Sequence, residues 1–306
     1  FPVESISLTN AVPADGFSEA LSADFGLRTG DAFTNGGRVT RLAPGAVNTT
    51  SLSVGLGGIG TAGAKVGTVD LSLVSDGTGT SGLSDLTLGS QQLQLTGKVY
   101  RLATGSAPSV VRLAPVREGE SFAMKALAVS NASAADGYSE KLNASFGSVS
   151  GAVLTNGAGV TRLVAGGLDG TMQVRLADSA ALVAGAKSGS VVIGYETDGT
   201  GTTGLAPMTN GSSTVSIQGD VYRLATYEFL PPELALGNIR LGRSFSNGAI
   251  DVKNASSGDG FSDDLSVSVL AVEQGFTHAG GPMLIAGGAT QRFSIGYVGS
   301  TTAEGV

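Results

Sequence analysis

Two Asp-Gly-Thr-Gly segments, beginning at Asp76 and Asp198, are the sharpest local motifs in the 306-residue sequence. In such a segment the carboxylate and the backbone carbonyls could supply the hard oxygen ligands that Ca²⁺ prefers. The same residues also favour a tight turn, because Asp accepts hydrogen bonds from its own backbone and Gly adopts positive φ. A complete calcium loop requires several carboxylates, and each segment carries one. The sequence therefore favours a turn, with a calcium site at Asp76 and Asp198 as the alternative.

Acidic residues four positions apart form a second candidate site. Asp15 and Glu19 recur as Asp136 and Glu140, and an acidic group follows again at Asp259. Paired carboxylates can serve as acid and base in catalysis. A catalytic pair in every copy of a repeat would be unusual, and the chain has no Trp to bind a sugar ring. A solvated loop is the favoured interpretation, and a shared cation site is the alternative.

His278 is the only histidine of the sequence, and there is no cysteine. A transition-metal site needs several such ligands. A Ser-His-Asp triad would need a nucleophile motif around its serine, and none surrounds a serine here. The sequence therefore predicts a chain that is not an enzyme and that binds no cofactor, apart from the calcium alternative.

Composition narrows the choice of partners. The net charge is −7 and only 14% of residues are charged, with no Lys/Arg cluster to neutralise phosphates, so nucleic acid is not an expected partner. No run of about 18 apolar residues occurs, which predicts no membrane span. Apolar residues make up 41% of the chain, enough to bury a core. A surface built from Ser, Thr, Asn and Gly is common on secreted and cell-surface β-proteins.

An internal repeat organises the whole sequence. The segment Asp15-Gly16-Phe17-Ser18-Glu19 recurs at 136–140 and 259–263, each time shortly after an Asn-Ala pair. Gly97 to Thr104 matches Gly219 to Thr226 with one difference. The chain is thus predicted to hold three copies of one module: 1–105, which lacks its first strand; 106–229, which opens with a Pro-containing linker; and 230–306, which is incomplete at its C-terminal end.

Apolar residues within each copy alternate with small or polar ones. Val69, Leu71 and Leu73, for example, match Val191, Ile193 and Tyr195 in phase. A period of two places one apolar face and one wet face on each strand. Seven or so short strands per copy, separated by Gly/Asn/Asp turns, predict an all-β chain of tandem immunoglobulin-like antiparallel β-sandwich repeats, with a closed barrel as the alternative.

Linkers and open edges are expected where copies meet or end. Pro108, Pro231 and Pro232 are interpreted as hinges that limit the swing between modules. Missing strands would leave sheet edges open, so we expect either that the chain continues at both ends or that neighbouring molecules add strands there. The residues predicted for these assembly edges are Phe1, Val3, Ile6, Leu8, Phe293, Ile295 and Tyr297.

A Tyr-Arg pair closes each complete copy, as Tyr100-Arg101 and Tyr222-Arg223. One interpretation is a surface contact patch. The favoured one is a Tyr and an Arg that stack across the boundary between module and linker.

The recurring Asp-Gly-Phe/Tyr-Ser-Glu segments, Gly-Ala-Lys segments, Asp-Gly-Thr-Gly-Thr runs and Val-Tyr-Arg-Leu-Ala ends carry a resemblance. The chain resembles bacterial exported proteins of the "choice-of-anchor D" type, whose modules are similar to the immunoglobulin-like ASPM/SPD-2/Hydin domains. The resemblance implies a secreted or surface-anchored bacterial protein, and it implies no catalytic residues.

The expected function is that of an extracellular structural subunit of a filament, sheath or surface layer, polymerised through β-strand edges and open end modules. Two alternatives remain open. One is an adhesin or carbohydrate-binding array that contacts cell-surface polysaccharide, with or without calcium. The other is the stalk of a larger secreted protein.

Overall fold

The computed structural model describes residues 1–240, 242–273 and 275–298, and within these ranges the chain contains β-strands, one short 3-10 helix and no α-helix. The first copy, module 1, contains β1 (Glu4–Ser5), β2 (Leu8–Thr9), β3 (Ala20–Gly30), β4 (Ala32–Thr34), β5 (Arg38–Leu42), β6 (Val47–Asn48), β7 (Ser53–Leu56), β8 (Gly63–Asp76) and β9 (Leu86–Val99).

The second copy, module 2, contains β10 (Gly105–Ser106), β11 (Val110–Arg112), β12 (Val116–Arg117), β13 (Lys125–Ala126), β14 (Val129–Asn131), β15 (Lys141–Ser150), β16 (Val153–Thr155), β17 (Val160–Leu163), β18 (Leu168–Asp169), β19 (Gln173–Leu176), the 3-10 helix (Asp178–Leu182), β20 (Gly185–Asp198) and β21 (Met208–Tyr222). The third copy, module 3, contains β22 (Tyr227–Leu230), β23 (Gly248–Asn254), β24 (Leu265–Val267), β25 (Phe276–Ala279), β26 (Met283–Ile285) and β27 (Thr290–Tyr297).

Module 2 shows the full sandwich. One sheet has the order β11-β21-β20-β15-β17, with β12 also on β21, and the other consists of the β13-β19-β16 and β10-β14-β18 ladders. The long strands pair antiparallel, whereas β11 and β12 run parallel to β21. The alternating apolar residues of both sheets meet in one core, as the period of two requires. Buried members of this core include Leu127, Val129, Leu142, Val174, Val191, Ile193, Val215 and Ile217. The predicted all-β sandwich architecture is confirmed.

Module 1 repeats this plan with fewer strands. Its sheet β5-β3-β8-β9 corresponds to β17-β15-β20-β21, and its short ladders β1-β7-β4 and β2-β6 correspond to those of module 2. The described residues of module 1 include no counterpart of β10, β11 or β12. Its buried core is accordingly smaller, formed by Ala23, Val39, Leu52 and Leu71.

Two of the four edge residues predicted for module 1 lie at an open edge, and the other two do not. β1 is the outer strand of its ladder and β2 pairs with β6 alone, so Phe1 and Val3 lie beside an open edge and are exposed. Ile6 and Leu8 instead turn inward and pack against the core of module 1. A role for these four residues in assembly stays a prediction.

The pairing of β27 contradicts the sheet edge that was predicted in module 3. This strand lies between β23 and β25, so Phe293, Ile295 and Tyr297 do not lie on a sheet edge. Phe293 is buried in the core of module 3 with Val252 and Ile285. The sequence reasoning did not identify β25, the strand that covers this side.

The proline hinges are also corrected. β10 pairs with β14 of module 2, and Pro108 follows β10, at the point where the chain crosses from one sheet to the other. Pro231 and Pro232 likewise follow β22, which pairs with β23 of module 3. A proline has no N–H to donate to a ladder, so it fits where a strand leaves its sheet. The junctions between modules therefore lie earlier, at 100–104 and 222–226.

Candidate functional site

The junction between modules 1 and 2, the first joint, is built on the loop that carries the Asp-Gly-Tyr-Ser-Glu motif. Arg101 N donates to Tyr138 O at 2.9 Å, and Glu140 N donates to Arg101 O at 3.0 Å. The guanidinium of Arg101 donates from Nη1 to Asp136 Oδ1 at 2.7 Å and to Ser139 Oγ at 3.0 Å. Backbone and side chain of one arginine thus hold the same loop.

The residues after Arg101 continue along module 2. Ser133 Oγ donates to Leu102 O at 3.1 Å, and Ala132 N donates to Thr104 O at 2.7 Å. Thr104 N donates to Asn131 Oδ1 at 3.3 Å. The Asn-Ala pair that precedes each motif is therefore part of the joint, which explains why it recurs together with the motif.

A buried hydroxyl connects the first joint to the body of module 2. Thr197 Oγ1 accepts from Ala103 N at 2.9 Å and donates to Glu140 Oε2 at 2.7 Å. Ala103, Thr197 and Glu140 are all at most 4% exposed. Asn210 Nδ2 also donates to Ala103 O. Because these groups are removed from water, each depends on its partner in the protein.

The second joint, between modules 2 and 3, repeats the first. Arg223 N donates to Phe261 O at 3.0 Å, and Asp263 N donates to Arg223 O at 2.9 Å. The guanidinium donates from Nη1 to both carboxylate oxygens of Asp259, at 2.7 and 2.8 Å, and to Ser262. The two joints therefore share their backbone bridge and their ion pair.

Aromatic rings complete both joints. The rings of Tyr100 and Tyr138 lie 6.1 Å apart, and those of Tyr222 and Phe261 lie 5.9 Å apart, both tilted by 48°. Each tyrosine thus packs on the aromatic residue of the following module. The sequence interpretation placed the Tyr-Arg pair at the boundary correctly, but the stacking partner is the aromatic residue of the motif.

The ion pairs set the electrostatics of the joints. The hydrogen bond from Arg101 lowers the pKa of Asp136 below its ordinary value, and the hydrogen bond from Arg223 lowers the pKa of Asp259. An additional pair, Arg117 Nε to Asp263 Oδ2 at 2.7 Å, ties β12 to the second joint. At Asp136 and Asp259 the cation beside the repeated acidic group is an arginine from the preceding module.

The two Asp-Gly-Thr-Gly segments form the turns that the sequence favours. Asp76 Oδ1 accepts from Thr78 N at 2.9 Å, and Asp198 Oδ1 accepts from Thr200 N at 2.9 Å. Hydrogen bonds from these threonines lower the pKa of both carboxyl groups. The part of the chain that the structure describes contains no group of three or more Asp, Glu, His or Cys suited to a metal ion. A calcium site at Asp76 or Asp198 stays a prediction.

Each turn is also held by an arginine that the sequence reasoning did not single out. Arg41 and Arg162 adopt positive φ, 54° and 56°, which is uncommon for a residue with a side chain. Their guanidinium groups donate to Thr78 O and Thr200 O of the turns. The recurrence of Arg-Leu in both copies was the available signal, but a backbone angle cannot be read from it. His278 lies exposed on β25 of module 3.

One side of module 1 is open where module 2 is closed. Leu93 on β9 is 40% exposed, whereas its counterpart Val215 on β21 is fully buried. In module 2 the difference is made by Val111 and Leu113, which cover β21 and join the core. In module 1 an open groove of about 460 Å³ lies at this place, lined by Phe1, Glu4, Val54, Leu56, Leu93 and Leu95.

The motif loop of module 1 is open as well. Phe17 is 93% exposed, whereas its counterparts Tyr138 and Phe261 are half-buried in the joints. Asp15 accepts from Phe17 N at 2.9 Å and from Ser18 Oγ at 3.2 Å. In the joints, the matching serines accept an arginine donor instead.

Comparisons with known proteins give weak likenesses. No family model and no curated protein matches the chain, so the resemblance to "choice-of-anchor D"-type proteins stays a prediction. A solved protein of unknown function from Porphyromonas gingivalis W83 is 15% identical, with a TM-score of 0.29, over 63% of this chain and 83% of that one.

Two further solved structures contain cadherin or cadherin-like domains. Extracellular cadherin domains 1–4 of protocadherin gamma B7 are 10% identical, with a TM-score of 0.34, over 97% of this chain and 68% of that one. Cadherin-like domains 1 to 4 of zebrafish RET are 10% identical, with a TM-score of 0.22, over 91% and 58%. Among the described residues, no helix is long and apolar enough to cross a membrane.

Proposed function

We propose that the chain is a non-catalytic structural segment of an extracellular bacterial assembly, in which β-sandwich modules are held in line by their joints. The observation that carries this proposal is that the same joint occurs twice. In both, an arginine bridges backbone to backbone and pairs with the aspartate of the next motif, at 2.7 Å. The contacts that both joints share would give a similar geometry at each step, so that the array acts as a stiff spacer.

The composition supports a location outside the cell. Only 14% of the residues are charged, and the sequence has no cysteine that would depend on a reducing compartment. The joints use charge-assisted hydrogen bonds together with packed rings, a combination that fixes orientation.

Small-angle X-ray scattering tests the stiff array. We expect the wild-type chain to scatter as one elongated rigid particle, and the double variant Arg101→Ala/Arg223→Ala to show a broader, shorter distribution of distances. The matched control is Arg28→Ala/Arg38→Ala, which removes the same charge from exposed positions in module 1. If wild-type and joint variant give the same flexible profile, the joints do not set the line and the proposal fails.

The second part of the proposal is self-association through the open edge of β9. Unpaired edge strands with apolar side chains are templates for pairing with another chain. Leu93 and Leu88 on β9 are 40% and 56% exposed, and the groove beside them is open. This edge is therefore the surface through which neighbouring molecules would add strands.

Sedimentation velocity over a range of protein concentrations tests this part. We expect the wild type to form larger species as concentration rises, and Leu93→Lys to remain monomeric because a charge on an edge strand opposes pairing. Arg28→Lys, a conservative change on an exposed site of β3, serves as the control. A wild type that stays monomeric at every concentration would remove polymerisation through this edge.

A further inference from the structure

Module 2 shows what fills each open place of module 1. One continuous stretch, residues 100–113, first holds the motif loop through Tyr100 and Arg101. It then pairs with β14 through β10, and finally covers β21 through β11. Val111 and Leu113 at its end are at most 8% exposed. Three separate surfaces are thus occupied by one extended segment.

Module 1 has the same three surfaces in the same order. They are the loop around Asp15 and Phe17, the outer edge of β2, and the edge of β9 with its groove of about 460 Å³. In module 2, Ala132 N, Glu140 N and Tyr138 O form backbone hydrogen bonds to residues 101–104. The matching groups of module 1, which are Ala11 N, Glu19 N and Phe17 O, form no backbone hydrogen bond within the described residues. We call these three surfaces together the module 1 receptor.

We infer that the module 1 receptor binds an extended segment with the chemistry of residues 100–113, that is, a Tyr-Arg pair followed by a small-residue stretch and an apolar strand. The inference deepens the proposed function and rests on it, because it names what a neighbouring module would donate. The arginine pairs with Asp15, the tyrosine packs on Phe17, and the apolar strand adds in parallel to β9.

Charge and shape both fit this occupant. Asp15 is exposed, and its carboxylate accepts hydrogen bonds from its own loop. The hydrogen bond from Phe17 N lowers the pKa of this carboxyl group, so Asp15 is ionised at neutral pH and can pair with a guanidinium. The groove is lined by Leu56, Leu93 and Leu95, which offer apolar contacts to side chains such as Val111 and Leu113. Phe1 lies over Gly97 as Phe122 lies over Gly219, so the floor of the site is already in place.

The receptor departs from its counterparts at Val12, and Ser75 and Leu88 stand where module 2 has Thr197 and Asn210. Ser133 and Ser256 donate to the carbonyls of Leu102 and Leu224, but the matching residue of module 1 is Val12. Valine has no hydroxyl, so one hydrogen bond of the joint is absent. This predicts a weaker complex than the internal joints and provides a gain-of-function variant, Val12→Ser.

A synthetic peptide with the sequence of residues 100–113, Tyr-Arg-Leu-Ala-Thr-Gly-Ser-Ala-Pro-Ser-Val-Val-Arg-Leu, tests the inference on the full 306-residue chain. Binding is followed by titration calorimetry at a concentration where the chain is monomeric. Its location is mapped by hydrogen exchange. We expect one peptide per chain and slower exchange in 86–99 and 15–19, with no change in β21, whose edge is occupied.

Matched changes separate specific binding from nonspecific sticking. The same peptide with Val111→Asp should bind at least tenfold more weakly, and with Arg101→Ala severalfold more weakly. In the chain, Phe17→Ser should weaken binding, whereas Val12→Ser should strengthen it. Circular dichroism shows whether each variant is folded. If Phe17→Ser does not fold, Val12→Ser still tests the inference.

The outcomes are distinct from those of the scattering experiment. Absence of protection in 86–99 at millimolar peptide, or equal binding of the Val111→Asp peptide, would overturn the inference. In that case a rigid scattering profile would still support the stiff array. Conversely, peptide binding by a chain whose joints prove flexible would support the receptor and remove the proposed mechanical function.

Discussion

Replacing Thr197 with valine tests the buried contact at the first joint. The hydroxyl accepts from Ala103 N at 2.9 Å and donates to Glu140 Oε2 at 2.7 Å, and Thr197 is 2% exposed. Valine has nearly the same shape, so Thr197→Val removes the hydrogen bonds and leaves the packing in place. The amide and the carboxylate then each lose a partner inside the protein.

The expected cost follows from those two groups. Leaving a buried donor or acceptor without a partner costs about 1–3 kcal/mol. Glu140 keeps its hydrogen bond from Thr203, which limits the loss on the carboxylate side. We expect the free energy needed to open the joint to fall by about 2 kcal/mol. Because about 1.4 kcal/mol corresponds to a factor of ten, the amides in 100–104 should exchange more than tenfold faster.

Hydrogen exchange with mass spectrometry is the suitable assay, because it reports on each module separately. Thr197→Ser keeps the hydroxyl and should lose much less protection. Ser75→Ala removes the matching hydroxyl in module 1, where it donates to Glu19 but meets no linker amide, so 100–104 should be unaffected. Unchanged exchange in Thr197→Val, or an equal loss in Thr197→Ser, would refute the role assigned to this hydroxyl.

Three further outcomes are expected. Phe122 is 1% exposed and packs over Gly219, so Phe122→Ala should lower the free energy of unfolding of module 2 by about 3–5 kcal/mol in denaturant unfolding. Phe1 is 40% exposed, so Phe1→Ala should lower the free energy of unfolding of module 1 by less than half as much. Equal losses would contradict the open side of module 1. Arginine hydrogen bonds lower the folded pKa of the aspartates in both joints. The two ion pairs therefore stabilise the joints fully above the ordinary carboxyl pKa of about 3.9, and this stabilisation is lost as the pH falls through the lowered pKa values of Asp136 and Asp259. Scattering should thus be the same at pH 7 and pH 5 and change only below about pH 4, and a joint that loosens by pH 5 would count against the ion pairs. Calcium or a chelator should leave the melting temperature unchanged, because the Asp-Gly-Thr-Gly carboxylates already accept backbone hydrogen bonds; a calcium-dependent rise would instead favour the calcium alternative.

The strands of the sandwich could be predicted because their signal is local. Val191, Ile193 and Tyr195 alternate with residues facing outward, and the structure buries all three. The repeat strengthened this signal, since the same phase occurs in a second copy. What a period of two cannot show is which strand lies beside which. The parallel pairing of β11 with β21 and the position of β25 next to β27 therefore came from the structure alone.

The candidate site was recognised by its residues but not by its contacts. The Tyr-Arg pair, the Asn-Ala pair and the Asp-Gly-aromatic-Ser motif were each identified as repeats, yet the Tyr-Arg pair lies about 30 residues before the other two in sequence. Their meeting at one joint depends on how each module presents its motif loop to the chain before it. The prolines were misplaced as hinges for the same reason, because stiffness is visible in a sequence whereas the point of docking is not.

The parallel pairing of β11 and β12 with β21 has a mechanical consequence. β11, near the start of module 2, and β21, its last strand, lie side by side and run in the same direction, so tension on the chain pulls the start of β11 and the end of β21 in opposite directions. The hydrogen bonds Ser216 N to Ser109 O, Leu113 N to Gln218 O and Glu118 N to Tyr222 O then carry force together, in shear, and cannot open one at a time. Filling the module 1 receptor would build the same shear ladder on β9, so a molecule that donates this strand would be held to module 1 by hydrogen bonds loaded in shear.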